Sequence, residues 1–367
     1  MSRAILAGVL VGCTLAAAML SSTARATDDL QPAGPLKVLA HVPQPGKPEG
    51  IAVDPHDGSI WTGSNRANSE AVLWHFDRDG NLLRTYTVLD HSEASPYGVN
   101  GVTLDGSGYV YALDYSGSRA VRLDPLTGSQ SLYATFPDLP ECGAGRITEC
   151  EPRSPGGDRP AWPNWATFDP AGNMYVSDLD QATIWKVPAG GGLAEIWYQN
   201  AQFASWYSLN GMQFDAEGRL TFVHTLSTEL DNLARGAIYR LTVTPDGNPG
   251  VLTEVTTTGI AADGLAIDSV GNLYVPVTNQ LPVQGGPALI ADAIEIYSPA
   301  GKRLATVAPP NSQEVPVPLD APASVAFSGN HLLITNHANN SLDPGHFAIM
   351  DLPTNKTGLP LNYPILP

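Results

Sequence analysis

One short motif recurs six times along the chain, and it constrains the fold more than any other feature. The copies are Glu49-Gly-Ile-Ala-Val-Asp54, Asn100-Gly-Val-Thr-Leu-Asp105, Asn164-Trp-Ala-Thr-Phe-Asp169, Asn210-Gly-Met-Gln-Phe-Asp215, Asp263-Gly-Leu-Ala-Ile-Asp268 and Ala323-Ser-Val-Ala-Phe-Ser328. Each apolar run reads as a strand. A turn and a second strand follow each copy, as in "HDGSIWTGS", "PAGNMYVSD" and "SVGNLYVPV", with glycine supplying the positive φ between antiparallel runs. A third strand follows in every unit, and a fourth in the first five.

The heads are spaced 51, 64, 46, 53 and 60 residues apart. Four short antiparallel strands at such a period describe a β-propeller blade. The sixth unit lacks its fourth strand, and "LKVLAHV", residues 36 to 42, has the composition to supply it. The expected fold is all-β, a six-bladed β-propeller closed by this N-terminal strand pairing with the last blade. The 32 prolines and 36 glycines suit a chain of many turns, and no stretch carries a convincing helical apolar period.

Residues 1–26 combine Arg3, a long apolar stretch and an Ala24-Arg25-Ala26 ending, the layout of a secretory signal peptide. A single domain is then expected over 27–367, secreted, periplasmic or at the cell surface. Leu10-Val11-Gly12-Cys13 also resembles a lipobox, so anchoring at Cys13 stays open as a second reading. Without the signal the chain has 17 basic and 36 acidic side chains, a net charge of −19. Such a surface repels nucleic acid and anionic lipid. Cys142 and Cys150 remain, eight positions apart, and in an exported protein an even pair of this kind reads as a disulfide.

In a propeller the first strand of each blade runs beside the central axis, so the heads form a ring at one end of the channel. Five of the six, Glu49, Asn100, Asn164, Asn210 and Asp263, carry a side-chain oxygen acceptor. Buried without partners, each costs a few kcal/mol. A hard cation satisfies them together, because Ca²⁺ takes six to eight oxygens from carboxylates, amides and water. Another divalent cation stays open, but the absence of cysteine and histidine from the heads argues against zinc, copper and iron. The alternative is that each head caps the backbone of its own strand. Glu49 is a poor local capper, so it favours the metal.

With these heads the chain resembles the senescence-marker-protein/gluconolactonase family, within the wider group of calcium-dependent six-bladed propellers. The likeness covers about residues 36 to 352. It implies Glu49, Asn210 and Asp263 as metal ligands, with Asp263 also the general base, and Asn164 holding metal or substrate. Asn100 is an additional amide in the second blade. Sugar-lactone hydrolases of this family carry an arginine two residues before the third-blade Asn, where this chain has Trp162, and a small or polar residue just after it, where this chain has Trp165. A polyhydroxylated sugar lactone therefore fits poorly.

The function expected is calcium-dependent hydrolysis of a small-molecule lactone or related ester. Trp165, His224 and His337 join Asn100 and Asn164 as candidate substrate-binding residues, and the two histidines are alternative bases. Trp162, Trp206 and Tyr207 are candidate walls of an apolar pocket, and the 137–163 loop is a candidate lid. No Gly-x-Ser-x-Gly, P-loop or dinucleotide fingerprint occurs. A non-catalytic binding platform with a structural calcium, and a lyase or strictosidine-synthase-like enzyme, remain as alternatives on the same scaffold.

Overall fold

Six antiparallel sheets stand around one axis in a computed structural model that describes residues 32–143, 149–152, 157–227, 235–278, 292–307 and 317–367. The expected signal segment 1–26, including Cys13, and parts of the 137–163 loop lie outside the described residues. The first blade shows the pattern. Its strands Pro48–Val53, Ile60–Ser64, Val72–Phe76 and Leu82–Thr87 pair in sequence order from the axis outward. The innermost strands of the next five blades are Val99–Leu104, Pro163–Phe168, Leu209–Phe214, Ala266–Ile267 and Pro322–Ser328, each beside its neighbour around the ring.

Closure is as expected from the sequence. Lys37–His41 pairs antiparallel with Ala348–Pro353, Lys37 facing Asp351, and becomes the outermost strand of the sixth blade. One strand was not foreseen. Gly192–Leu193 runs parallel to Gln130–Thr135 and extends the second sheet to five strands. Among the described residues the only helical pieces are three 3₁₀ turns of three residues each, and no helix is long and apolar enough to cross a membrane.

Six apolar clusters fill the gaps between blades, one per gap. The two-residue period of a strand explains the distribution. In the second strand of the first blade, Trp61 faces the gap toward the second blade and Ile60 the gap toward the sixth. In the third blade, Trp185 and Ile184 divide in the same way. Each blade therefore stabilises two interfaces.

The aspartates that end five of the repeats are turn caps. Asp105 Oδ1 accepts from the backbone N–H of Ser107 and Tyr109, and its Oδ2 accepts from Tyr111 Oη at 2.7 Å. Asp268 does the same for Val270, Asn272 and Tyr274. This second recurring acid is structural, which separates it from the heads. Cys142 and Cys150 are joined, with Cα atoms 5.0 Å apart.

Candidate metal centre

The heads sit where the strand ladders break. Between the first two strands the register shifts at Pro48/Ile51, Val99/Val102, Pro163/Trp165, Leu209/Met212 and Pro322/Val325. A bulge of this kind frees a residue from pairing and re-aims its side chain. It also explains the glycine that follows four of the heads. A β-carbon on Gly50 would run into the Asn100 carbonyl, and one on Gly101 into the Asn164 carbonyl. One on Gly264 would stand 2.9 Å from the Ala323 carbonyl oxygen, whose bond with Gly264 N–H measures 2.8 Å. At these positions only glycine lets the neighbouring inner strands converge this closely, whereas the third and sixth blades carry Trp165 and Ser324 at the equivalent place.

Five polar heads are thereby gathered at one end of the channel. Glu49, Asn100, Asn164 and Asn210 are buried and Asp263 is half-buried. Asn210 donates from its amide to Thr225 Oγ1 at 3.1 Å and stands beside the Asp263 carboxyl. Asn65 stands beside the Glu49 carboxyl, and Asn100 Nδ2 donates to the Pro163 carbonyl at 3.3 Å. Glu49 Oε2, Asn100 Oδ1 and Asn210 Oδ1 remain buried acceptors with no hydrogen-bond partner.

The electrostatics point the same way. Burial, and then the facing Asp263 carboxylate, push the Glu49 carboxyl well above the usual range. Burial pushes Asp263 up to about 7, opposed by the hydrogen bond from Asn210. Glu49 and Asp263 come from the first and fifth blades, on either side of the sixth, and the Asp263 carboxylate acts on Glu49 across that gap. A cation fits this donor set: it would occupy the orphaned oxygens and turn the repulsion into attraction. Among the described residues no three His, Cys, Asp or Glu side chains form a metal group. An ion here would therefore depend on amide oxygens.

The two candidate histidines separate. His337 Nδ1 stands 3.3 Å from Glu49 Oε2, and burial, then Lys47, push its imidazole down to about 3. His224 faces away into the fourth blade, bonded to Ser205 Oγ at 3.0 Å and packed edge-on to Phe203. Burial lowers it to about 4, and it is placed as a core histidine.

An aromatic group stands upstream of the heads. Trp162 lies 3.9 Å from Tyr97, 4.9 Å from Tyr115 and 6.2 Å from Tyr207, measured between ring centroids. Its indole N–H is buried without a partner. Trp206 and Tyr207 are exposed, with the Arg159 guanidinium 5.4 Å over the Trp206 ring. Trp165 reaches from the third blade toward the fifth: a β-carbon on Gly264 would lie 3.2 Å from its Cζ3.

This geometry defines a six-bladed propeller with a polar ring of two acids and three amides at one channel mouth. Solved structures of the same architecture include a gluconolactonase from Xanthomonas campestris, at 14% identity over 87% of this chain and 89% of that one, TM-score 0.55. The calcium-binding protein regucalcin from Agrobacterium tumefaciens is 18% identical over 90% of this chain and 99% of its own, TM-score 0.56. Virginiamycin B lyase from Staphylococcus aureus is 16% identical over 87% and 98%, TM-score 0.50. At these identities the likeness shows the fold. No family model matches the chain, and no curated protein does.

Proposed function

We propose that the protein is an exported, calcium-dependent hydrolase of lactones or related esters. The observation that carries this reading is the set of buried, unpartnered oxygens on Glu49, Asn100 and Asn210, beside two carboxyls that burial pushes up, Glu49 further raised by Asp263. Glu49, Asn164, Asn210 and Asp263 would hold the ion, with Asn100 beside them. When bound, Ca²⁺ supplies Lewis-acid polarisation of the substrate carbonyl.

The chain's own groups do the rest. Asp263, half-buried beside Asn210, would take the proton of the attacking water. The water oxygen would form the new bond to the carbonyl carbon, the bond from that carbon to the leaving oxygen would break, and the leaving alkoxide would take the proton held by Asp263, which returns to its carboxylate form. His337 keeps Glu49 in place. Tyr97, Tyr115, Trp162 and Tyr207 form an apolar wall that suits a substrate poor in hydroxyl groups.

The test is to measure metal in the purified protein and to assay a panel of lactones and aryl esters with and without chelator. Hydrolysis lost on chelation and restored by Ca²⁺ supports the reading. Activity that survives complete calcium removal overturns it. Bound calcium without turnover of any ester favours the binding platform.

A further inference from the structure

Past the heads, the innermost strands enclose a second space. Ile51, Val102, Met212, Leu265 and Val325, each two residues beyond a head, help wall a cavity of about 520 Å³. The C-terminal segment closes its far end. Thr357 O accepts from Ser269 N–H and Leu359 N–H donates to Ile267 O, both at 2.8 Å, which ties the segment to the fifth blade. It then crosses to the other side. There Asn362 Nδ2 donates to Phe168 O at 2.9 Å, Tyr363 Oη to Val53 O at 3.2 Å, and Gly106 N–H to Pro364 O at 2.7 Å. Blades five and two are opposite in a ring of six, so the segment spans the channel.

Trp165 belongs to the wall on the side of the heads. The exposed His56 and Arg78 also belong to the lining, which places an opening beside the first blade. The space is thus a side-opening chamber, separate from the head ring.

We infer that this chamber binds a neutral, largely apolar small molecule carrying one oxygen function, the class of a medium-chain alcohol. Its volume falls within the roughly 300–1,000 Å³ of small-molecule sites, which pair apolar walls with a few polar groups. The polar groups here include the hydroxyls of Thr103 and Thr167, on adjacent blades. Asp54 and Arg78 are the charged side chains of the lining; both belong to the first blade beside the opening, and their charges cancel. An ionised ligand would be desolvated with no counter-charge deeper inside. Left empty, an apolar space of this size forfeits packing on every wall.

The experiment is calorimetric titration of the calcium-loaded protein with 1-octanol and, separately, with octanoate. The expected result is saturable 1:1 binding of octanol, at least tenfold tighter than octanoate. The double variant Ala52→Leu with Ala326→Leu fills the chamber from blades one and six. It should lose octanol binding at least tenfold, with the circular-dichroism spectrum, calcium binding and ester hydrolysis unchanged. If the double variant does not fold, Ala326→Met alone makes the same test. Absence of saturable octanol binding, equal affinity for the anion, or a filled variant that binds like the parent each overturns the proposal. Because ester hydrolysis is read separately, failure here is distinct from failure of the metal centre.

Discussion

Glu49 Oε2 lies 3.3 Å from His337 Nδ1, and this contact joins the first blade to the last at the mouth of the channel. It is not an ordinary salt bridge. The imidazole is held neutral by burial and the nearby Lys47, while the carboxyl is pushed up by burial and Asp263. A cation at the ring would favour the ionised carboxylate of Glu49.

Glu49→Gln keeps the shape of the head and removes its charge. Cation affinity should fall about 100-fold, equivalent to about 2.8 kcal/mol, in a calcium titration of the purified variant. Thermal stability without calcium should rise slightly, because one of two opposed buried acids is gone.

Gly50→Ala should be among the most destabilising single-methyl additions in the chain. The new carbon meets the Asn100 carbonyl and the backbone of Gly101 and Val102, none of which is a movable side-chain end. A loss of about 3 kcal/mol is expected from overpacking, read by urea denaturation. Gly143→Ala has no neighbour within 4 Å and serves as the control.

A second acid cluster sets a pH dependence away from the heads. Burial, with nearby carboxylates, raises Glu151 to about 8 and Asp180 to about 7. A carboxyl raised in the folded state binds more protons there than in the unfolded chain, so its contribution is full at low pH and is lost as pH rises toward 8. The melting temperature should therefore fall between about pH 5 and pH 8. Glu151→Gln should flatten that slope.

Cys142→Ser with Cys150→Ser opens a loop closed by a sequence separation of 8. The chain-entropy relation gives about 2.5 kcal/mol for a loop of that length. Melting temperature should drop by a few degrees while the far-ultraviolet circular dichroism keeps its strand signature.

The blades and the heads were legible because each repeat writes them out locally: an apolar run, a turn glycine, and Glu, Asn or Asp at its start. The closing strand was legible from a missing partner. What pairing and packing decide was not. The bulge that frees Asn100 and Asn210 depends on register against a neighbouring strand. Asn65, beside the Glu49 carboxylate, and Thr225, which accepts from Asn210 Nδ2, carry no motif. His224 and His337 stand equally far from their heads in sequence, yet the register pairs Leu209 with His224 and Pro322 with Asn336, so His337 falls one residue beyond the equivalent place, where it meets Glu49, while His224 packs on Phe203. The C-terminal segment from 354 onward has no repeat and no strand pattern, so its course across the channel left no trace in the sequence.

Lys37 finds its partner in Asp351, 314 positions further along. During synthesis, at roughly 5–20 residues per second, the opening strand waits on the order of half a minute for the one it must join. Until then the sixth sheet has an unfilled edge and the circle stays a horseshoe. Joining its two ends is the longest-range event in the folding of this molecule, and it can only come after translation has all but finished.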